Sequence, residues 1–370
     1  MIKRVPRILD LAFVMDCTGS MGSYIETSKQ QIMNIAKMIS EKEEIQKIRF
    51  ALICYRDHEP QDKTYITRVF DFTEDLSTMQ DYVNTANAQG GGDLPEAVAD
   101  GLHELLNISW FSDAVKISIF IADAPPHGLK QGDTWSGCPS GHDPIKIARE
   151  CAKRGIIVYS VACEPAVSNN PPTGDFMKAI AEITEGRYVP LSGAHLLPKI
   201  IMGAADEEAD LEALIKEVKQ QVENLGGIEE MAEEEIVNRI HSKLKKKGIM
   251  TAQMDIDERE TSKVKYSAHY TSAKDLRSAV EDYTEEMKKY MKGRGIEVPK
   301  LTKALSMSRK SVKHGRVEKS LEMESEGFRV SPALLRESSP PPQEIAVSKK
   351  EISSEQVKRM LGRVKKRKKG

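Results

Sequence analysis

Three short segments of this 370-residue chain bring oxygen-bearing side chains to loop positions. Asp16-Cys17-Thr18-Gly19-Ser20 directly follows the apolar run Ile8 to Met15. A carboxylate and two hydroxyls therefore alternate on the loop that leaves a buried strand, and alternate residues project to the same side. Gly90-Gly91-Gly92-Asp93-Leu94-Pro95-Glu96 offers a carboxylate on a glycine turn ahead of a helix, and a second apolar run, Val115 to Ala122, delivers Asp123 at its end. Hard oxygen donors assembled from separate loops are what Mg²⁺ or Mn²⁺ requires, an octahedral ion that keeps some of its waters. In a parallel sheet the loops at the strands' carboxyl ends gather along one edge, where ligands bind. The candidate metal ligands are Asp16, Thr18, Ser20, Asp93 and Asp123. Asp93 has a second reading, as the cap of the following helix, because Leu94-Pro95-Glu96 puts a proline and an acid in its first turn.

These motifs, in this order, resemble a von Willebrand factor A (vWA) domain with its metal-ion-dependent adhesion site. Met15-Asp16-Cys17-Thr18-Gly19-Ser20-Met21, Cys54-Tyr55-Arg56-Asp57-His58 and Asp123-Ala124-Pro125-Pro126-His127-Gly128 are similar to the intracellular vWA domains attached to α-type protein kinases. The resemblance covers about residues 6 to 205. It implies a doubly wound, mostly parallel α/β sheet of Rossmann-like type, and a protein-interaction module whose Mg²⁺-type ion accepts a Glu or Asp from a protein partner. Two positions depart from the family pattern: Thr18 stands where Ser is usual, and Asp93 where Thr is usual. A ligating Asp93 adds negative charge, holds the cation more firmly and leaves it a weaker Lewis acid. Nothing resembling a kinase ATP-binding loop follows residue 205.

The elements needed to position those loops are legible. Strands are predicted at Leu11 to Met15, Ile48 to Tyr55, Ile66 to Phe72, Val115 to Ala122, Ile156 to Ala162 and Arg187 to Pro190. Helices are predicted at Tyr24 to Ile39, Pro95 to Leu106, Ile145 to Lys153, Phe176 to Ile183 and Ala194 to Ala205, the last of that domain. This alternation argues for a parallel sheet covered on both faces.

Residues 206–298 read as a helical region. Leu211, Ile215, Val218, Val222 and Leu225 are spaced 4, 3, 4, 3, a short coiled-coil-like seam open to self-association or to packing back on the domain. Gly226-Gly227 ends that helix, and further helices are expected at Ile228 to Lys247 and Ala273 to Met291. Residues 299–370 hold 19 Lys and Arg against 8 Asp and Glu, so a near-neutral chain divides into an acidic body and a basic tail. The Ser, Lys and Arg content and the run Pro340-Pro341-Pro342 predict a disordered tail. Its end is amphipathic: Val357, Leu361 and Val364 share one helical face, followed by Lys365-Lys366-Arg367-Lys368-Lys369. Such a segment suits an acidic membrane surface, a calmodulin-like protein, nucleic acid or nuclear import, or folds back onto the acidic body. Aromatic side chains for base stacking are missing from it.

The stretch from His127 to Pro144 is a glycine-rich insertion beside Asp123. His127, Trp135 and His142, with His58 at the end of the second strand, are candidates for partner contact at the rim of the metal site. His127, Cys138 and His142 are an alternative zinc set, without an obvious fourth ligand. An enzymatic alternative is a metal-dependent phosphohydrolase, but that chemistry asks for a second Asp two residues after Asp16, where Thr18 stands. Five cysteines without paired spacing, and an amino terminus leading straight into the first strand, predict an intracellular, cytoplasmic protein, with the basic end allowing a nuclear one.

Overall fold

The computed structural model describes residues 7–26, 29, 45–129, 133–191, 196–225, 231–255, 264–282, 284 and 345–369. Six strands form one sheet in the order β3-β2-β1-β4-β5-β6: β1 (Arg7–Asp16), β2 (Ile45–Tyr55), β3 (Thr67–Thr73), β4 (Val115–Ala122), β5 (Ile156–Cys163) and β6 (Tyr188–Leu191). All neighbours are parallel except β2 and β3. Helices α1 (Leu76–Thr85), α2 (Val98–His103), α3 (Pro144–Lys153), α4 (Pro171–Ile183) and α5 (Leu197–Leu225) connect or follow the strands. The fold is the predicted doubly wound α/β sheet.

The near-continuous apolar runs of β1, β4 and β5 follow from burial on both faces. Along β1, Leu9, Leu11, Phe13 and Met15 enter the core on one side of the sheet. Ala12 and Val14 enter the core on the other, with Phe120, Ile145 and Phe176. The chain runs from β1 to β2 and β3 on one side and then crosses to β4 on β1's other side. That reversal opens a crevice at the carboxyl ends of β1 and β4. Register brings the loops together there: Met15 pairs with both Cys54 and Ile121, and Asp16 pairs with Tyr55.

Among the described residues, 22–26 and Lys29 are helical, and the rest of the helix expected to Ile39 lies outside them. The helix expected from Pro95 begins at Val98 and ends in a 3₁₀ turn, Glu104–Leu106. Helix α1 was not anticipated, although Asp75 caps it by accepting from the Ser77 and Thr78 amides.

The boundary expected at 205/206 is crossed by a single helix. α5 runs unbroken over 29 residues, because Ala-Asp-Glu-Glu-Ala-Asp at 205–210 contains neither glycine nor proline. What changes there is the surface it buries. Ile200, Ile201 and Ala204 pack on the sheet. Leu211, Ile215, Val218 and Val222 pack with Ile236 and Ile240 of α6 (Glu233–Lys246) and with Val357, Leu361 and Val364 of α8 (Ser354–Lys369). The seam is covered within the chain and is not open to a second copy. A further short helix, α7 (Ser267–Ser272), packs against α4, and residues 276–282 are helical. Thr284 is helical as well, and residues 283 and 285–291 of the helix expected to Met291 lie outside the described residues.

The tail is corrected at its far end. β8 (Ala346–Glu351) pairs antiparallel with β7 (Met250–Asp255), in a second, two-stranded sheet. α8 then docks through both its faces. Arg359 donates to the Glu185 carbonyl (2.8 Å) and to Glu207 (2.9 Å), and it pairs with Glu208. Arg363 reaches the other oxygen of Glu208 at 2.7 Å. A Cβ on Gly362 would collide with the Glu185 carboxylate, so glycine allows this close approach. The apolar face read as available to a membrane, a calmodulin-like protein or nucleic acid is buried inside the molecule. Lys365 pairs with Glu233 at 2.6 Å, and the side chains of Lys366, Arg367, Lys368 and Lys369 lie outside the described ones. Residues 299–344 also lie outside the described residues. No helix among the described residues is long and apolar enough to cross a membrane.

Candidate metal centre

Asp16 ends β1 with its side chain fully buried. Its Oδ1 accepts from the Thr18 amide (2.9 Å) and the Thr18 hydroxyl (2.6 Å), and Ser20 Oγ lies 3.3 Å from Thr18 Oγ1. Asp123 follows β4 and takes a hydrogen bond from Ser20. The glycine loop lies directly over this turn. Gly19 N donates to the Gly90 carbonyl at 3.0 Å, and Gly91, at φ 77°, has room for no side chain: a Cβ there would sit 2.7 Å from Glu96 Oε1 and 3.3 Å from Thr18 Cβ. Arg56 ties the loops together, donating to the carbonyls of Cys17 (3.2 Å) and Asn87 (2.9 Å).

The carboxylate that this loop turns inward is Glu96. It is buried, its amide donates to the Pro125 carbonyl at 3.0 Å, and it forms an isolated bridge with Pro126. Burial first, then the charges of Asp16, Asp57 and Asp123, push Glu96 up to about 11. Burial and the Asp123 charge likewise push Asp16 up to about 7 against the hydrogen bonds from Thr18, and burial raises Asp123. Like charges gathered away from water disfavour ionisation. Asp16 Oδ2, Glu96 Oε2 and Asp123 Oδ1 are all buried without a hydrogen-bond partner in the protein. Buried polar atoms left unsatisfied are costly, which makes this cluster the candidate seat of a divalent cation, held in part through its own waters. The donor set, carboxylates and hydroxyls only, suits a hard ion.

Four of the five residues expected from the sequence lie in this cluster, and Glu96, outside that expected set, lies there with them. Asp16, Thr18, Ser20 and Asp123 are brought together. Asp93 is exposed at the tip of the glycine loop, where burial and the Asp57 charge raise its pKa and Gln61 hydrogen-bonds to it. It does not cap α2 either, whose N-cap is Ala97. Glu96 stood in the same motif and was read only as an acid beside the helix dipole. The signal for it was the glycine turn and Pro95, which turn the loop back toward the strand ends.

The four rim candidates divide. His58 and His127 are buried, because each is taken up by acids. His127 donates between Asp57 (2.7 Å) and Asp133 (3.2 Å). Burial lowers its pKa, but those two carboxylates outweigh burial and raise it overall. His58 faces Asp100 at 3.0 Å. Trp135 is half-buried, edge-on to the His127 ring at 4.7 Å, and His142 is half-buried as well. The suggested zinc set of His127, Cys138 and His142 is split by these pairings, since Cys138 and His142 turn to Asp100 and His127 does not.

Residues 10–134 match the family model for the von Willebrand factor A domain. The chain is 33% identical over 158 residues to alpha-protein kinase vwkA of Dictyostelium discoideum, an alignment that covers 43% of this chain and 25% of the kinase. It is 30% identical over 200 residues to the putative ariadne-like RING finger protein R811 of Acanthamoeba polyphaga mimivirus, covering 51% of this chain and 19% of that protein. The chain thus spans a quarter or less of the length of these relatives. Proximal thread matrix protein 1 from the mussel byssus superposes with a TM-score of 0.39 at 15% identity, over 54% of this chain and 45% of that one. The sheet order, the strand-end aspartates and the family match lead to one conclusion: the chain contains a von Willebrand factor A domain, similar to the one in an α-type protein kinase.

Proposed function

We propose that the chain is a protein-interaction module that captures a partner's Glu or Asp at a divalent cation, Mg²⁺ or Mn²⁺, held by Asp16, Thr18, Ser20 and Asp123 with Glu96 as the fifth contributor. The observation that carries this reading is the set of three buried carboxylates with unpartnered oxygens, gathered at the reversal point of the sheet. A bound ion supplies a Lewis-acid position that accepts a carboxylate oxygen from outside. The chain's own residues do the rest. Thr18 orients Asp16 through two hydrogen bonds, Gly91 lets the second loop close over the first, and exposed Asp93 adds negative potential at the entrance. Half-buried Trp135 is the rim residue left for partner contact. The five unpaired cysteines support an intracellular setting.

Mg²⁺ and Mn²⁺ titrations followed by thermal shift and calorimetry test this on the full chain. Saturable stabilisation of about 2.7 kcal/mol is expected at a hundredfold excess over Kd. Asp16→Ala abolishes it and Asp93→Ala retains it. No response of the wild type to either ion overturns the reading.

A further inference from the structure

We infer that His58, Asp100, Cys138 and His142 form a structural zinc site, separate from the oxygen cluster at Asp16. Three segments far apart in sequence meet here: the end of β2 supplies His58, the first turn of α2 supplies Asp100, and the insertion before α3 supplies Cys138 and His142. One ligand atom from each of His58, Asp100 and Cys138 lies within 4.8 Å of the others. His58 Nε2 is 3.0 Å from Asp100 Oδ2, Cys138 Sγ is 3.1 Å from the same oxygen, and Sγ is 3.9 Å from His58 Nε2. His142 Nε2 stands 3.9 Å from Asp100 Oδ1 and is the fourth donor.

Zinc bound tetrahedrally at ordinary Zn–N, Zn–O and Zn–S lengths separates neighbouring donors by about 3.3–3.6 Å. The distances among His58, Asp100 and Cys138 bracket that spacing, so the ion enters among these three with small side-chain adjustments, and His142, outside that trio, swings in to complete the set. The donor chemistry agrees. Thiolate and imidazole select zinc over Mg²⁺, and one thiolate with one carboxylate cancels the ion's charge in a site whose His58 and Asp100 are both 5% exposed. Without metal, the Cys138 thiol donates its proton to Asp100, and this is the proton released on binding. The donors are supported from outside: Ser140 hydrogen-bonds to Asp100, and His103 stacks on the His142 ring, with centroids 3.9 Å apart. A bound ion would fasten the 133–143 insertion to α2 and β2. None of these four residues belongs to the oxygen cluster, so this inference stands apart from the reading above.

Cobalt(II) replaces zinc and reports thiolate ligation through a near-ultraviolet charge-transfer band, which an all-oxygen site cannot give. Titration of the full chain with Co²⁺ is expected to produce this band together with the visible absorption of a tetrahedral ion, and Zn²⁺ is expected to erase both. Asp16→Ala keeps the band. Cys138→Ser loses it and weakens Zn²⁺ binding by more than about 100-fold, the upper range for loss of a supporting residue. His142→Ala keeps the thiolate band but alters the visible spectrum. Absence of the band in wild-type protein, or its persistence in Cys138→Ser, overturns the site.

Discussion

Glu96→Gln separates the carboxylate cluster from every neighbouring explanation. In the folded, metal-free chain Glu96 is pushed from 4.5 up to about 11, so at pH 8 the native state holds a proton that the unfolded chain has released. Stability therefore falls as pH rises above the unfolded value, because there the native state binds more protons. At about 1.36 kcal/mol per pH unit, Glu96 alone lowers wild-type stability by roughly 5 kcal/mol between pH 4.5 and pH 8. Glutamine has no proton to hold. Denaturant unfolding of metal-free protein should show Glu96→Gln overtaking wild type as pH rises, with a gap at pH 8 approaching that value. The cation acts oppositely: it must displace the proton, so binding to wild type at pH 8 should release about one proton and strengthen about tenfold per pH unit. Calorimetry in buffers of different ionisation enthalpy counts that proton. In Glu96→Gln the release should vanish and affinity should fall. Equal proton release in both proteins, or parallel stability curves, refutes the assignment of Glu96 to the site.

Three further perturbations test the surrounding structure. Arg359→Met should cost about 3 kcal/mol in urea unfolding, the low end for a broken buried pair, because Glu207 and Glu208 would remain buried with only Arg187 and Arg363 to pair them. Gly91→Ala should destabilise by about 1–2 kcal/mol for its positive φ and weaken Mg²⁺ binding, since the new Cβ presses on Glu96; unchanged affinity in calorimetry would remove this glycine from the site. His127 has a raised pKa, so its contribution is fully present below the ordinary value of 6.5 and is lost as pH rises through the raised one. The stability difference between wild type and His127→Gln should therefore shrink as unfolding is repeated at increasing pH, and a constant difference would mean that His127 is not protonated in the fold.

The residues legible in the sequence were those whose position depends on local pattern. Asp16 and Asp123 each end an apolar run, and a parallel sheet puts such ends together whatever the helices do. Glu96 was not legible, because its direction depends on the glycine loop and on a bridge to Pro126, thirty residues later. His58 and His127 were read as rim residues because nothing local indicates that Asp100 and Asp57 come from other segments to bury them.

The seam of α5 and the amphipathic end of the chain show the same limit from the other side. Each pattern correctly named an apolar face, Leu211 to Val222 in one and Val357 to Val364 in the other, but a periodic face says only that it will be buried, not by what. Here each is covered by the other. The cue joining them was charge rather than hydrophobicity: an acidic body and a basic end, which meet where Arg359 and Arg363 reach Glu207 and Glu208 on α5. Buried ion pairs add little net stability over apolar packing, so their value here lies in register. Gly362 admits the helix only at Glu185, and the two arginines match only carboxylates one helical position apart. Long-range docking of this kind is specified by a few polar contacts superimposed on a generic apolar face, and those contacts carry no local signature.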